Sequence, residues 1–210
     1  MKRLITTLLL ALLIPVLSSC TGNLLQSKVT PSQVYVLRNI ETTTAKTSLP
    51  IQLSIALPTT APGLDTNRIA VLRNRNQLDY FAAARWSGTP PQVLQAYLVD
   101  YLQSQHGYKS VIAETGQTDT DYLIKIDIRE FQTEYSDSAT IPIIHVAWST
   151  TVFNIKTRKA ITTLQSTSRV PADENRLSAV INAFQLATQN ACSTLSEQLA
   201  TAFNQALARQ

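Results

Sequence analysis

The sequence predicts a mixed α/β fold, a β-sheet with one mid-chain helix and one long C-terminal helix packed on it. Three observations predict it. Stretches that alternate apolar and polar residues fill most of the chain between residues 51 and 170, as strands with one buried face do. A single apolar stripe of helical spacing interrupts them at residues 93–102. A second such stripe begins near residue 177, in a segment from 172 to 210 that holds no Gly or Pro. Strands, helix, strands, helix in that order suit helices laid against a sheet.

Tyr35-Val36-Leu37 opens a first strand. Residues 51–57 alternate and give a second, closed by Pro58 and Pro62-Gly63. Ile69 to Leu72 is a short third strand, and Asn74-Arg75-Asn76 reads as a turn. In the fourth strand Leu78, Tyr80, Ala82, Ala84 and Trp86 share one face, with Asp79 and Arg85 on the other. The mid-chain helix starts with Thr89 as cap and Pro90 at its first position, where no N–H is needed. Gly107 is its expected left-handed C-cap. Tyr108 to Ala113 is a fifth strand. Then Tyr122, Ile124, Ile126 and Ile128 alternate until the apolar phase slips to Phe131 and Tyr135, which predicts a bulge. Residues 143–155 and 160–170 form a hairpin around 156–159, and their Thr and Ser content fits a sheet with one solvated face. Asp173 is the expected N-cap of the last helix. At 1.5 Å per residue its roughly 35 residues would reach ~52 Å, longer than a domain of this size is wide. The end is therefore expected to fray, bend or reach a neighbour.

The chain has 210 residues, 44% hydrophobic and 15% charged, which excludes a disordered tail and a disulfide-stapled miniprotein. Its net charge of +4 includes Lys2 and Arg3; without them Lys+Arg falls from 18 to 16 against 14 Asp+Glu. That balance, with no basic stripe and interleaved aromatics, gives no nucleic-acid signature.

The first residues set the compartment. Met1-Lys2-Arg3 is a positive start, and residues 4–16 are an apolar run too short to span a bilayer, where about 18–20 residues are needed. Leu17-Ser18-Ser19-Cys20 follows, a small-residue cleavage site that resembles the bacterial lipobox. Residues 1–19 are thus expected to be a lipoprotein signal peptide, 20–32 a lipidated N-terminus and tether, and 33–210 the folded domain. Acyl chains such as palmitate on Cys20 would contribute about 0.8 kcal/mol per buried CH₂, and two or more chains anchor stably. Thr21 in place of aspartate implies the outer membrane, where the organism follows the enteric sorting rule. Lipidation of Cys20 leaves Cys192 alone, so no intrachain disulfide is expected; a buried, inert thiol suits its helical position.

Candidate chemistry is sparse. His106 and His145 are isolated, and no metal site or cofactor is expected. No serine sits in a Gly-x-Ser-x-Gly elbow and no glycine-rich phosphate loop is present, so neither catalysis nor ATP binding is expected. Asp119 and Asp121 read as a turn before a strand. Arg85 and Trp86 carry two readings, an interface pair or, for Trp86, a core residue in phase with Tyr80. On the terminal helix, Leu199 and Phe203 are candidate partner contacts.

Several features fall in a familiar order. The lipobox at Cys20 is followed by Tyr35-Val36-Leu37, by 63–70 (Gly-Leu-Asp-Thr-Asn-Arg-Ile-Ala), by Leu78-Asp79-Tyr80 with Arg85-Trp86 just before the first helix, and by the terminal helix with 191–200. In this order the sequence resembles the ABC-type transport auxiliary lipoproteins, the PqiC/YmbA-like group that accompanies MCE proteins. The resemblance implies a non-enzymatic lipoprotein on the periplasmic face of the outer membrane. It would dock an MCE-domain periplasmic protein, with its ABC permease and ATPase, in a system that moves lipids or other hydrophobic molecules between membranes. A homo-oligomer is compatible with it. Two alternatives remain open: a carrier with an acyl pocket between sheet and helices, and an envelope hydrolase.

Overall fold

The computed structural model describes residues 31–39, 48–74, 76–116, 119–136 and 140–208. The signal peptide, Cys20 and nearly all of the tether expected from the sequence lie outside the described residues, as does Arg75 of the turn. From Ser32 onward the chain is one compact unit.

Its strands are β1 (Gln33–Tyr35), β2 (Leu49–Ile55), β3 (Thr59–Thr60), β4 (Arg68–Arg73), β5 (Gln77–Trp86), β6 (Tyr108–Ala113), β7 (Tyr122–Tyr135), β8 (Ile143–Asn154) and β9 (Lys159–Pro171). The helices are α1 (Pro90–Ser104) and α2 (Leu177–Leu207). All nine strands of the described residues belong to one mixed sheet organised on β7. One edge of β7 pairs antiparallel with β8 over nearly its whole length. Its other edge receives three short parallel strands in turn: β2 at residues 122–124, β3 at 127–128 and β4 at 133–135. The sheet therefore forks, with β6 beyond β2 on one branch and β5 then β1 beyond β4 on the other.

The expected bulge is present. Ile128 pairs with Trp148 and Glu130 with Ala147, which leaves Arg129 as the extra residue. The slip keeps Ile124, Ile126, Ile128 and then Phe131 on the buried face, at 0–3% exposure. A single core lies between that face and the two helices. The opposite face carries Lys125, Asp127, Glu130 and Glu134 from β7, and Thr151, Thr163 and Gln165 from the hairpin.

Three expectations are corrected. The fourth strand is not one straight alternation: its pairing with β4 slips between Arg68 and Ala70, and Ala83 takes a left-handed φ of 52°. Ala84 and Trp86 are buried beyond that kink, whereas Ala82 is exposed. Tyr80, before it, turns to the short helical turn at 62–64, where its hydroxyl donates to the Gly63 carbonyl at 2.9 Å. The left-handed residue after α1 is His106 (φ 53°), not Gly107; His enters this region more readily than most side chains. Gly107 instead offers its carbonyl to the Leu49 N–H at 2.9 Å, tying the end of α1 to β2. The N-cap of α2 is Arg176, not Asp173. Residues 172–175 are held back by the β7–β8 region, with Ala172 N–H donating to the Pro142 carbonyl (2.9 Å) and Tyr135 Oη to Asn175 Oδ1 (2.8 Å). The start of α1 is as expected, with Gln92 Oε1 accepting from Thr89 N–H at 3.0 Å in a capping box.

Burial acts on the tyrosines of this core. Desolvation raises the Tyr108 hydroxyl from 10.0 to about 12 and raises Tyr97 and Tyr135 as well. These groups stay protonated in the fold while their unfolded counterparts ionise near pH 10. Their contribution is complete below pH 10 and is lost as the pH climbs toward 12. Unfolding midpoints in urea are expected to fall across that window, while tyrosine ultraviolet titration of the folded chain lags that of the denatured chain.

Candidate functional site

Sequence reasoning nominated Arg85, Trp86, Leu199 and Phe203 as partner contacts. The structure places only Arg85 on the surface. It lies at the end of β5 opposite Arg68, whose guanidinium stacks 3.9 Å from the Tyr80 ring centre. Trp86 is 1% exposed and wedged between Phe131 and Phe184. Leu199 and Phe203 are fully buried, and Phe203 packs on Tyr108 and Tyr122. Their side chains fill the core, so as direct contacts the set reduces to Arg85. The last turns of α2 are likewise not surplus length: the 31-residue helix, ~46 Å long, closes the sheet with its final third.

The chemical side chains take structural positions. His145 lies on the face out of phase with Ile144 and Val146, as its spacing implies, with Nδ1 at 3.3 Å from Glu134 Oε2 and 3.8 Å from Glu130 Oε2. His106 serves the turn after α1. Among the described residues no three His, Cys, Asp or Glu side chains are grouped to hold a metal ion. Asp121 pins β2, its Oδ2 accepting from Gln52 N–H at 2.9 Å. Cys192 is fully buried, and desolvation pushes its thiol well above the ordinary range.

Two features lay beyond the reach of sequence reasoning. The first is a strap. After β1, the Gln185 side chain of α2 clamps the backbone of Arg38: Oε1 accepts from Arg38 N–H at 3.0 Å and Nε2 donates to its carbonyl at 2.6 Å. Asn39 Nδ2 then donates to Ser104 Oγ of α1 at 2.7 Å. The segment that follows β1 is thereby fixed to both helices. Gln185→Ala is expected to cost about 1 kcal/mol, the net worth of ordinary hydrogen bonds. It should also raise hydrogen exchange at Arg38 while leaving β7 and β8 protected.

The second feature is a groove of about 510 Å³ between β9 and the C-terminal half of α2, lined by Thr162, Thr163, Gln165, Gln198, Thr201 and Gln205 among others. A neighbouring recess of about 550 Å³ at the hairpin tip is lined by Asn154, Thr157, Thr162, Ala202 and Gln205 among others. Both mix hydroxyls and amides with apolar side chains, Leu164 and Ala202 in the groove and Ile161 and Ala206 in the recess, as a surface that meets another macromolecule does. The space between sheet and helices, where a carrier would hold lipid, is occupied by Trp86, Phe131, Phe184 and Phe203.

Comparisons agree with this geometry. Residues 35–200 match the model of a family described as the ABC-type transport auxiliary lipoprotein component. No curated protein matches the chain by sequence. The fold is similar to a crystal structure of a protein from Xanthomonas campestris, with TM-score 0.70, 20% identity, and 85% of this chain and 98% of that one covered. It is also similar to the crystal structure of an uncharacterized protein, with TM-score 0.64, 10% identity, and 81% and 99% covered. At such identities the likeness concerns the fold alone.

Proposed function

The chain belongs to the ABC-type transport auxiliary lipoprotein component family, and on that footing we propose that lipid on Cys20 holds it at the periplasmic face of the outer membrane. There it docks an MCE-domain periplasmic protein, whose ABC permease and ATPase drive movement of lipids or other hydrophobic molecules between membranes. The role as an auxiliary component follows from membership itself, and it is a non-catalytic role. One observation supports the anchoring: the family match begins at Tyr35, a short tether after the Leu17-Ser18-Ser19-Cys20 lipobox. In this reading residues 1–19 are removed, 20–32 are the anchor and tether, and the remainder is the docking domain. Docking is favoured over carriage because the interior is filled by aromatic side chains, leaving the polar surfaces beside β9 and around Arg85 to meet a partner.

Affinity isolation of the tagged full-length chain from detergent-solubilised envelopes tests the docking role. The expected outcome is recovery of the MCE-domain protein with its permease and ATPase, and no stoichiometric lipid in the interior. Recovery of the chain with one bound lipid per molecule and no transport component would favour the carrier instead. Cys20→Ala should leave the chain unprocessed or free in the periplasm.

A further inference from the structure

We infer that the free edge of β9 is where an extended segment of the transport partner adds a strand, and that this segment is acidic. Among the described residues β9 ends the sheet on its side, pairing with β8 alone. The Gln165 carbonyl points away from β8, because it accepts from Gln198 Nε2 of α2 at 3.1 Å. In an antiparallel ladder, residues two apart along a strand direct their backbone groups the same way. Thr163, Gln165, Thr167 and Arg169 therefore all turn N–H and C=O outward. Natural sheets blunt such edges with proline, lysine, bulges or a covering element. Here a register slip near Ile161 and Pro171 close only the two ends. Between them, among the described residues, Gln198 alone reaches the row. Its side-chain amide stands where the N–H of an added strand would bond, so a donor fits there. The ends of the two branches are shorter: β1 has three residues and β6 has six, and at β6, as at β9, a helix amide meets the strand, with Gln103 Nε2 of α1 donating to the Val111 carbonyl at 2.7 Å.

The occupant follows from charge and shape. A strand laid on this edge, roughly 4.8 Å from β9, has one row of side chains facing the hydroxyls and amides of the α2 groove. Its other row lies beside Thr163, Gln165, Thr167 and Arg169. The strand and its turn expose Lys156, Arg158, Lys159 and Arg169, none of them in an ion pair among the described residues. Glu197 is the one carboxylate lining the groove. A carboxylate opposite Arg169 complements this edge. A second copy does not, because antiparallel pairing of two β9 edges would set Lys159 and Arg169 of one chain beside those of the other.

The inference takes its occupant from the docking role and adds the surface. The test reads that surface alone, so its failure leaves lipid anchoring and recovery of the MCE protein untouched. Full-length chain in detergent is titrated with two synthetic strands, one alternating Thr with Glu, the other Thr with Lys, followed by anisotropy and by hydrogen exchange along β9. The acidic strand should bind about tenfold more tightly or better, and should slow exchange at Thr163, Gln165, Thr167 and Arg169. Thr167→Pro removes an outward N–H without touching the β8 ladder and should abolish binding. Arg169→Glu, an exposed change that preserves the fold, should reverse the preference and keeps the test decisive if the proline variant unfolds. Equal affinity for the two strands, protection elsewhere, no binding, or an unchanged preference in Arg169→Glu would each overturn the inference. So would concentration-dependent self-association that protects the same amides without peptide.

Discussion

Replacing Trp86 with alanine should destabilise the chain by about 3–5 kcal/mol, the range for truncating a buried Trp or Phe. For a domain of this size that lowers Tm by roughly 10 °C. Trp86 joins three elements: it is the last residue of β5, and its ring meets Phe131 of β7 at 5.7 Å and Phe184 of α2 edge-on at 5.1 Å. Its backbone N–H also donates to the Asn67 carbonyl at 2.7 Å, so the ring hangs from a fixed point. Alanine would leave a cavity among side chains locked on three sides. Trp86→Phe should cost less, because it keeps a ring there and removes an indole N–H that has no hydrogen-bond partner. Arg85→Ala, one residue away and exposed, should fall within about 0.5 kcal/mol of wild type. Urea unfolding followed by far-ultraviolet circular dichroism, which does not depend on Trp86, measures all three. A Trp86→Ala variant as stable as Arg85→Ala would show that the ring is not part of the core.

Phe203→Ala should cost a similar ~3–5 kcal/mol. Phe203 sits four residues from the end of α2, where ends ordinarily fray, yet it is fully buried. Its ring meets Tyr108 at 5.9 Å and Tyr122 at 4.8 Å, the first residues of β6 and β7. Truncation after Leu199 removes this contact and should likewise destabilise the domain, with hydrogen exchange rising first at the starts of β6 and β7. Gln205→Ala, exposed on the same turn of helix, should have little effect. A truncated chain of wild-type stability would restore the view of the helix end as a free arm.

What the sequence made legible follows from periodicity. The 122–135 strand, its phase slip at Arg129 and the 143–171 hairpin could be read because each side chain alternates between one dry and one wet face. α1 could be read because Thr89-Pro90-Pro91-Gln92 states its start in local chemistry. The misses occurred where tertiary contacts override local signals. Asp173 has the chemistry of a cap, but Ala172 and Asn175 are bonded to residues from the β7–β8 region, so the helix cannot begin there. Ala82 looked in phase with Trp86, but Ala83 in its left-handed conformation breaks the register first. Partner surfaces were hardest. By sequence alone Phe203 and Leu199 lie on a helix longer than the domain is wide, whereas in the fold that length is what covers the sheet. The Gln185 clamp and the open edge of β9 join residues 147 and 33 positions apart, a juxtaposition no local pattern encodes.

Intact mass spectrometry of the full chain recovered from the outer-membrane fraction tests most directly whether a lipid-fastened docking domain is the right reading. The expected species begins at Cys20, lacks residues 1–19 and carries acyl chains on both its thiol and its new amino terminus. An unacylated amino terminus on protein recovered free in the periplasm would contradict it.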